Sequence, residues 1–181
     1  NREIQTSFLE KIPGIHSHYR KFLPLFPRAV EQMYIKEKAD LVLSSSHCVI
    51  KGLKKTEGSK HLCYIHSPMR YLYDQYEAYF GEDAPIYQRM GMKLFEKKLR
   101  NWDQLSNQNV DQFVANSQFV KRRIENYYHR ESDVVHPFVD LDDFAQIENP
   151  EKENFYLMVS AFAPNKRVDL AVHAFNRLGL P

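Results

Sequence analysis

Two cations open the last helical stretch of this chain. In VSAFAPNKRVDL, residues 159–170, an apolar run enters a proline-containing turn, and Lys166 and Arg167 follow at once. Backbone N–H groups at a helix start lack intrahelical partners, so an ammonium placed beside them suits a diphosphate. A solvated Lys-Arg pair satisfies the same spacing. Further candidates follow other apolar runs. In CYIHSPMRYLYD, residues 63–74, His66 stands directly after such a run and can exchange a hydrogen bond with a hydroxyl. Tyr71 and Tyr73 follow it, and tyrosine rings suit the faces and hydroxyls of sugars. A partly buried histidine beside a helix start explains the same residues. In SSSHCVIKG, residues 44–52, Ser45 and Ser46 would let a polar ligand approach the backbone and Lys51 could meet an acid group, although serine-rich strand ends also make ordinary turns. In FVANSQFVKRRI, residues 113–124, capping of the next helix accounts for Ser117, Asn116 stays open, and 121–123 reads as a solvated helix face.

Other chemistries find less support. His16 and His18 lie close together with Glu10 not far, but no cysteine is near, so no metal site is expected. The nucleophile elbow GxSxG is absent, and the six glycines form neither GxGxxG nor a P-loop. Cys48 and Cys63 are too few for a disulfide framework and read as buried thiols in a reducing compartment. A net charge of +2 gives no basic excess for nucleic acid, which is not expected as a partner. No apolar run approaches the roughly 20 residues of a membrane span, and the polar start lacks the parts of a signal peptide. A cytoplasmic protein is expected.

The elements that must position these residues alternate. Short apolar runs at 41–43, 62–65, 110–115 and 155–159, with a weaker one at 133–136, read as buried strands. Helical stretches are expected at 28–38, introduced by Pro27, at 86–105, and at 118–128, capped by Ser117. Strand followed by helix predicts an α/β fold, a Rossmann-like parallel sheet with helical crossovers, whose strand ends face any ligand. On 86–105, Met90, Leu94, Phe95, Leu99 and Trp102 recur at helical spacing and predict a docking face. Over 86–106 five cations stand against Glu96 and Asp103, a net of +3 that could touch anionic lipid; docking within the domain is the rival. The acidic stretch 139–154 reads as a linker. After it comes one further strand and helix, with Val168, Ala171, Val172, Phe175 and Leu178 on one face.

Four motifs in order, DLVLSSSHCVIKG, HLCYIHSPMRYLYDQYEAYF, VDQFVANSQFVKRRIENYYHRESDVVHPFVDLDDF and FYLMVSAFAPNKRVDLAVHAFNRLGLP, resemble bacterial glycosyltransferases of family 4, especially mannosyltransferase-like members of surface polysaccharide assembly. The resemblance covers nearly the whole chain. It implies the GT-B architecture of two Rossmann-like domains: an acceptor-side domain over 1–138, an interdomain linker at 139–154, and the start of a nucleotide-sugar domain over 155–181. A chain so placed is expected to be an internal piece of such an enzyme and inactive alone, with the donor-domain glutamates beyond it.

The implied reaction moves a hexosyl group, mannose favoured, from a nucleotide diphosphate sugar such as GDP-mannose to a saccharide or lipid-linked acceptor, with retention and without a metal or other cofactor. Lys166 matches the family's diphosphate-binding lysine, and His66 the histidine near donor sugar and acceptor. Arg167 is the adjacent cation; Ser45, Ser46, Lys51, Tyr71 and Asn116 fall on the acceptor or sugar side. Many relatives carry an arginine five residues before the lysine, where this chain has Ala161. The implied location is the cytoplasmic face of the membrane. Self-association over the last strand and helix is expected, and the alternative function is a non-catalytic α/β binding module.

Overall fold

The computed structural model describes residues 4–82, 84–141, 153–162 and 166–179. They fall in two compact units, Asn1–Pro137 and Phe138–Pro181. In the first, short helices α1 (Ile15–His18) and α2 (Phe26–Glu31) precede strands β1 (Leu41–Ser46) and β2 (Lys60–Ile65). Helices α3 (Tyr76–Phe80) and α4 (Ile86–Leu105) lead to β3 (Gln112–Ala115), and α5 (Gln118–Tyr128) to β4 (Ser132–Val134). The strands form one parallel sheet in the order β1-β2-β3-β4, with Ser45 opposite Tyr64 and Tyr64 opposite Val114. The expected α/β, Rossmann-like parallel sheet is what the chain forms.

Sequential order has a consequence for the layers. Each crossover steps the same way across the sheet, so right-handed crossovers all fall on one face. Alternation along the strands sends Val42, Ser44, Ser46, His61, Cys63, Ile65, Phe113 and Ala115 to that covered face, where all are buried. Cys63, Ile65, Phe113 and Ala115 pack there against Val110 and against Val120, Ile124 and Tyr128 of α5. The opposite face leaves Leu41, Leu43 and Ser45 exposed and Leu62 and Tyr64 half-buried. A second cluster joins Leu99 and Met92 of α4 to Met69 and Leu72.

Helix α5 begins where Ser117 accepts a hydrogen bond from the Val120 N–H at 3.2 Å, a cap worth about 1 kcal/mol. Helix α2 is shorter than the expected 28–38. Its buried side chains, Ala29 and Val30, lie in the part that forms, and the residues beyond Met33 include the exposed Tyr34. On α4 the docking face is also rotated from expectation. Met92, Leu99 and Asp103 are buried with Phe95 and Trp102 beside them, whereas Met90 and Leu94 point outward. Close packing against α4 requires a glycine at 52, since a Cβ there would stand 2.6 Å from Trp102.

One buried histidine makes stability depend on pH. The Nδ1–H of His61 donates to the Asn109 carbonyl at 2.8 Å, which leaves Nε2 to accept from Ser44 Oγ at 2.8 Å. Burial depresses its pKa below 6.5, so the unfolded chain binds a proton more readily than the folded one. The stabilisation is full above the unfolded value and is lost as pH falls from there through the depressed folded value. Urea midpoints between about pH 7.5 and about pH 5 should therefore decline in the wild type and decline less in His61→Gln. Equal slopes would remove His61 from the account.

In the second unit, α6 (Val168–Leu178) forms as expected, with the Tyr156 ring 4.9 Å from that of Phe175. The expected strand at 155–159 does not form, and Leu157 and Val159 are exposed. A strand needs a hydrogen-bonded neighbour, and none pairs with it among the described residues. The expected linker lies largely outside the described residues.

Candidate functional site

Three strands end side by side, and their last outward residues meet. Strand β1 continues through Ser46 instead of stopping before the serines, so strand alternation divides them: Ser45 faces the open side while Ser44 and Ser46 face the covered one. Ser45 Oγ lies 2.8 Å from Nε2 of His66, the residue after β2. The His66 N–H donates to the Ser46 carbonyl at 2.8 Å, which continues the ladder one step and fixes the backbone of the histidine. Asn116, following β3, donates through Nδ2 to the His66 carbonyl at 3.3 Å, while its Oδ1 accepts from Ser117 Oγ at 3.0 Å. The edge of the Tyr64–His66 ring pair closes one side, with centroids 5.5 Å apart at 88°. The imidazole is exposed, and Nδ1 has no partner among the described residues. A hydroxyl arriving at the strand ends can thus exchange a hydrogen bond with a histidine already oriented by Ser45.

The turn carrying His66 is held from beneath. Arg123 is buried; its Nε donates to Ser67 Oγ at 3.1 Å, a terminal nitrogen donates to the Pro68 carbonyl at 3.4 Å, and the other pairs with Asp74. The expected solvated face at 121–123 is therefore wrong for Arg123. It shares an arc with the buried Val120 and Ile124 and with Tyr127, over whose ring it lies at 5.2 Å. That arc was the signal that sequence reasoning passed over.

Other expected acceptor-side residues lie elsewhere. Lys51 is fully buried: its Nζ lies 3.1 Å from Asp103 Oδ1 and donates to Ser106 Oγ at 2.5 Å and Asn107 Oδ1 at 2.9 Å. Asp103 also accepts from Tyr73 at 2.8 Å and Tyr128 at 3.2 Å. Burial pulls the Lys51 ammonium below its usual range while Asp103 opposes the shift. The expectation that Lys51 meets a ligand acid is corrected: its acid is internal. Ser46 is buried too, its hydroxyl 3.5 Å from the Cys48 carbonyl. The Tyr71 hydroxyl turns inward to Met69 Sδ at 3.2 Å and Cys48 Sγ at 2.9 Å. Burial raises that phenol and pushes the Cys48 thiol up to about 11, so neither is an acid or nucleophile near neutrality. Asp103 escaped sequence reasoning, although an acid four residues after Leu99 on a core-facing arc marks a buried partner.

In the second unit Lys166 is exposed just before α6. Arg167, with φ of 46°, turns back on Asp169, the two side chains meeting at 2.9 Å. The turn before them, 163–165, lies outside the described residues. His16 lies 3.1 Å from Glu10, and no group of three or more potential metal ligands assembles among the described residues. Nor is any helix among them long and apolar enough to cross a membrane.

Comparison with known families and proteins bears on this edge of the sheet. No curated protein and no solved structure matches the chain significantly. The family model described as Glycosyltransferase Family 4 matches residues 5–143, which span all four strands and the Ser45–His66–Asn116 cluster. The chain belongs to Glycosyltransferase Family 4.

Proposed function

We propose that the protein moves a hexosyl group, mannose favoured, from a nucleotide diphosphate sugar such as GDP-mannose to a hydroxyl of a saccharide or lipid-linked acceptor, with retention, in surface polysaccharide synthesis. The observation that carries this reading is the convergence of Ser45, His66 and Asn116 at the carboxyl ends of three parallel strands in a family 4 domain. His66 holds the reacting hydroxyl region of donor sugar or acceptor; Ser45 and Asn116 orient it. Lys166, at the N-terminal end of α6, takes the diphosphate as negative charge develops on it. Arg167 is the weaker candidate, because Asp169 already holds it.

The test is transfer from GDP-mannose and from uridine diphosphate sugars by the full-length protein, with the product's anomeric configuration read by NMR. Retained configuration from GDP-mannose is expected; inversion, or transfer from other donors alone, overturns the corresponding part. Lys166→Ala should raise KM for the donor and lower kcat, together reducing kcat/KM by about a hundredfold. Since the reading gives charge neutralisation to the protein's own groups, EDTA should leave the rate unchanged. Normal transfer by Lys166→Ala would sink that assignment.

A further inference from the structure

Helix α4 turns one face to the core and a different kind of amphipathic face to solvent. Around it, Met92, Phe95, Leu99, Trp102 and Asp103 form the inner arc. At 100° per residue the outer arc carries Ile86, Met90, Leu94 and Leu105, with Tyr87 among them. These are 71%, 68%, 75%, 62% and 65% exposed. Arg89, Lys93, Lys97 and Lys98 are exposed beside and between them. The two acids of the helix are not available to offset them: Glu96 pairs with Arg100 at 2.8 Å, and Asp103 is buried against Lys51. A shallow groove lined by Leu94, Lys97, Lys98, Asn101, Trp102 and Leu105 continues the apolar stripe to the end of the helix.

We propose that this face of α4 lies on an anionic lipid bilayer, with its apolar residues at the boundary of headgroups and acyl chains. A protein-docking seam gathers apolar residues in a centre and excludes charge from it. Here lysines are interleaved with protruding apolar side chains along several turns, with no free carboxylate on the helix. That is the chemistry of an interfacial helix, in which lysine stems run along apolar surface and the ammonium groups reach phosphates. Twenty residues give about 30 Å of contact, enough for all four cations to act together. The inference needs only the helix and stands apart from the sugar and reaction assigned above.

The experiment is co-sedimentation of the full chain with vesicles of phosphatidylcholine alone and with about 30 mol% phosphatidylglycerol, at low and high salt. Binding is expected at least about tenfold tighter to the anionic vesicles and weakened by salt. Lys93→Glu, Lys97→Glu and Lys98→Glu combined should lower partitioning by about a hundredfold or more. Met90→Ser with Leu94→Ser should lower it by about tenfold or more with every cation kept, which separates apolar insertion from charge attraction. All five side chains are exposed, so thermal melts should show the variants folded. No binding, equal binding to both vesicles, or unchanged binding by the lysine variant overturns the proposal. So does a shift from dimer to monomer in the Met90/Leu94 variant without vesicle binding, which would make α4 an interface between copies.

Discussion

Lys51→Met is expected to destabilise the protein by about 3–5 kcal/mol, the cost of leaving a buried carboxylate without its counter-charge. The carboxylate is Asp103, inside α4 with no exposed side-chain surface, and Lys51 is the cation that meets it. What matters is the imbalance: removing a whole buried ion pair often costs little, whereas removing one partner is severe. Asp103→Asn alone leaves the ammonium without its counter-charge and keeps a side-chain acceptor for only one of Tyr73 and Tyr128, which donate to different carboxylate oxygens. The double variant should therefore cost less than the sum of the singles by about 2 kcal/mol or more. Urea unfolding of the four proteins measures it. Strict additivity would show that the pair does not act as a unit; a small loss for Lys51→Met would mean that water reaches Asp103 on modest rearrangement.

His66→Ala should have the opposite profile, lowering kcat of sugar transfer by about a hundredfold or more with little change in melting temperature. The imidazole is exposed and buries little apolar surface, so its removal leaves the core intact. Ser45→Ala removes only the 2.8 Å bond that orients the ring, and a loss of a few-fold is expected. Arg123→Lys keeps the charge toward Asp74 but not the fork that also reaches Ser67 and Pro68, so the turn beneath His66 should loosen. Its effect should appear in kcat more than in KM for the donor, the sign of a positioning residue. Lost stability with unaltered transfer in His66→Ala would make the histidine structural. Both readouts come from the same purified full-length protein, so a folding defect cannot pass for a catalytic one.

Much of the fold was legible because its signals are local. Short apolar runs bounded by polar residues marked the four strands of the sheet. Ser117 marked the start of α5 because a cap is satisfied within its own turn. Helices α4 and α6 were legible from their apolar spacing. The strand expected at 155–159 failed for the complementary reason: an apolar run shows that a segment can be a strand, but only a neighbour makes it one. The rotated docking face of α4 belongs to the same class. Met90 and Leu94 have the right residue types, yet the position of Met69 and Leu72 selected Met92 to join the expected Leu99, Phe95 and Trp102.

The candidate site divides along the same line. Residue type and position after an apolar run pointed to Ser45, His66 and Asn116 separately, and those properties belong to the sequence alone. Their meeting depends on register: parallel neighbours bring residues some 20 and 50 positions apart to one edge. Register also sorted the serines, turning Ser45 toward the open face and Ser46 toward the core, since adjacent strand residues cannot face the same side. In the sequence Lys51 and Arg123 read as cations free for solvent or ligand, because sequence displays charge without showing its partner. Asp103, 52 positions from Lys51, and Asp74, 49 positions from Arg123, became their counter-charges only when the chain folded. Local free energies of capping and patterning are written in consecutive residues; the pairing of buried charges is a long-range term, and only the tertiary structure decided it.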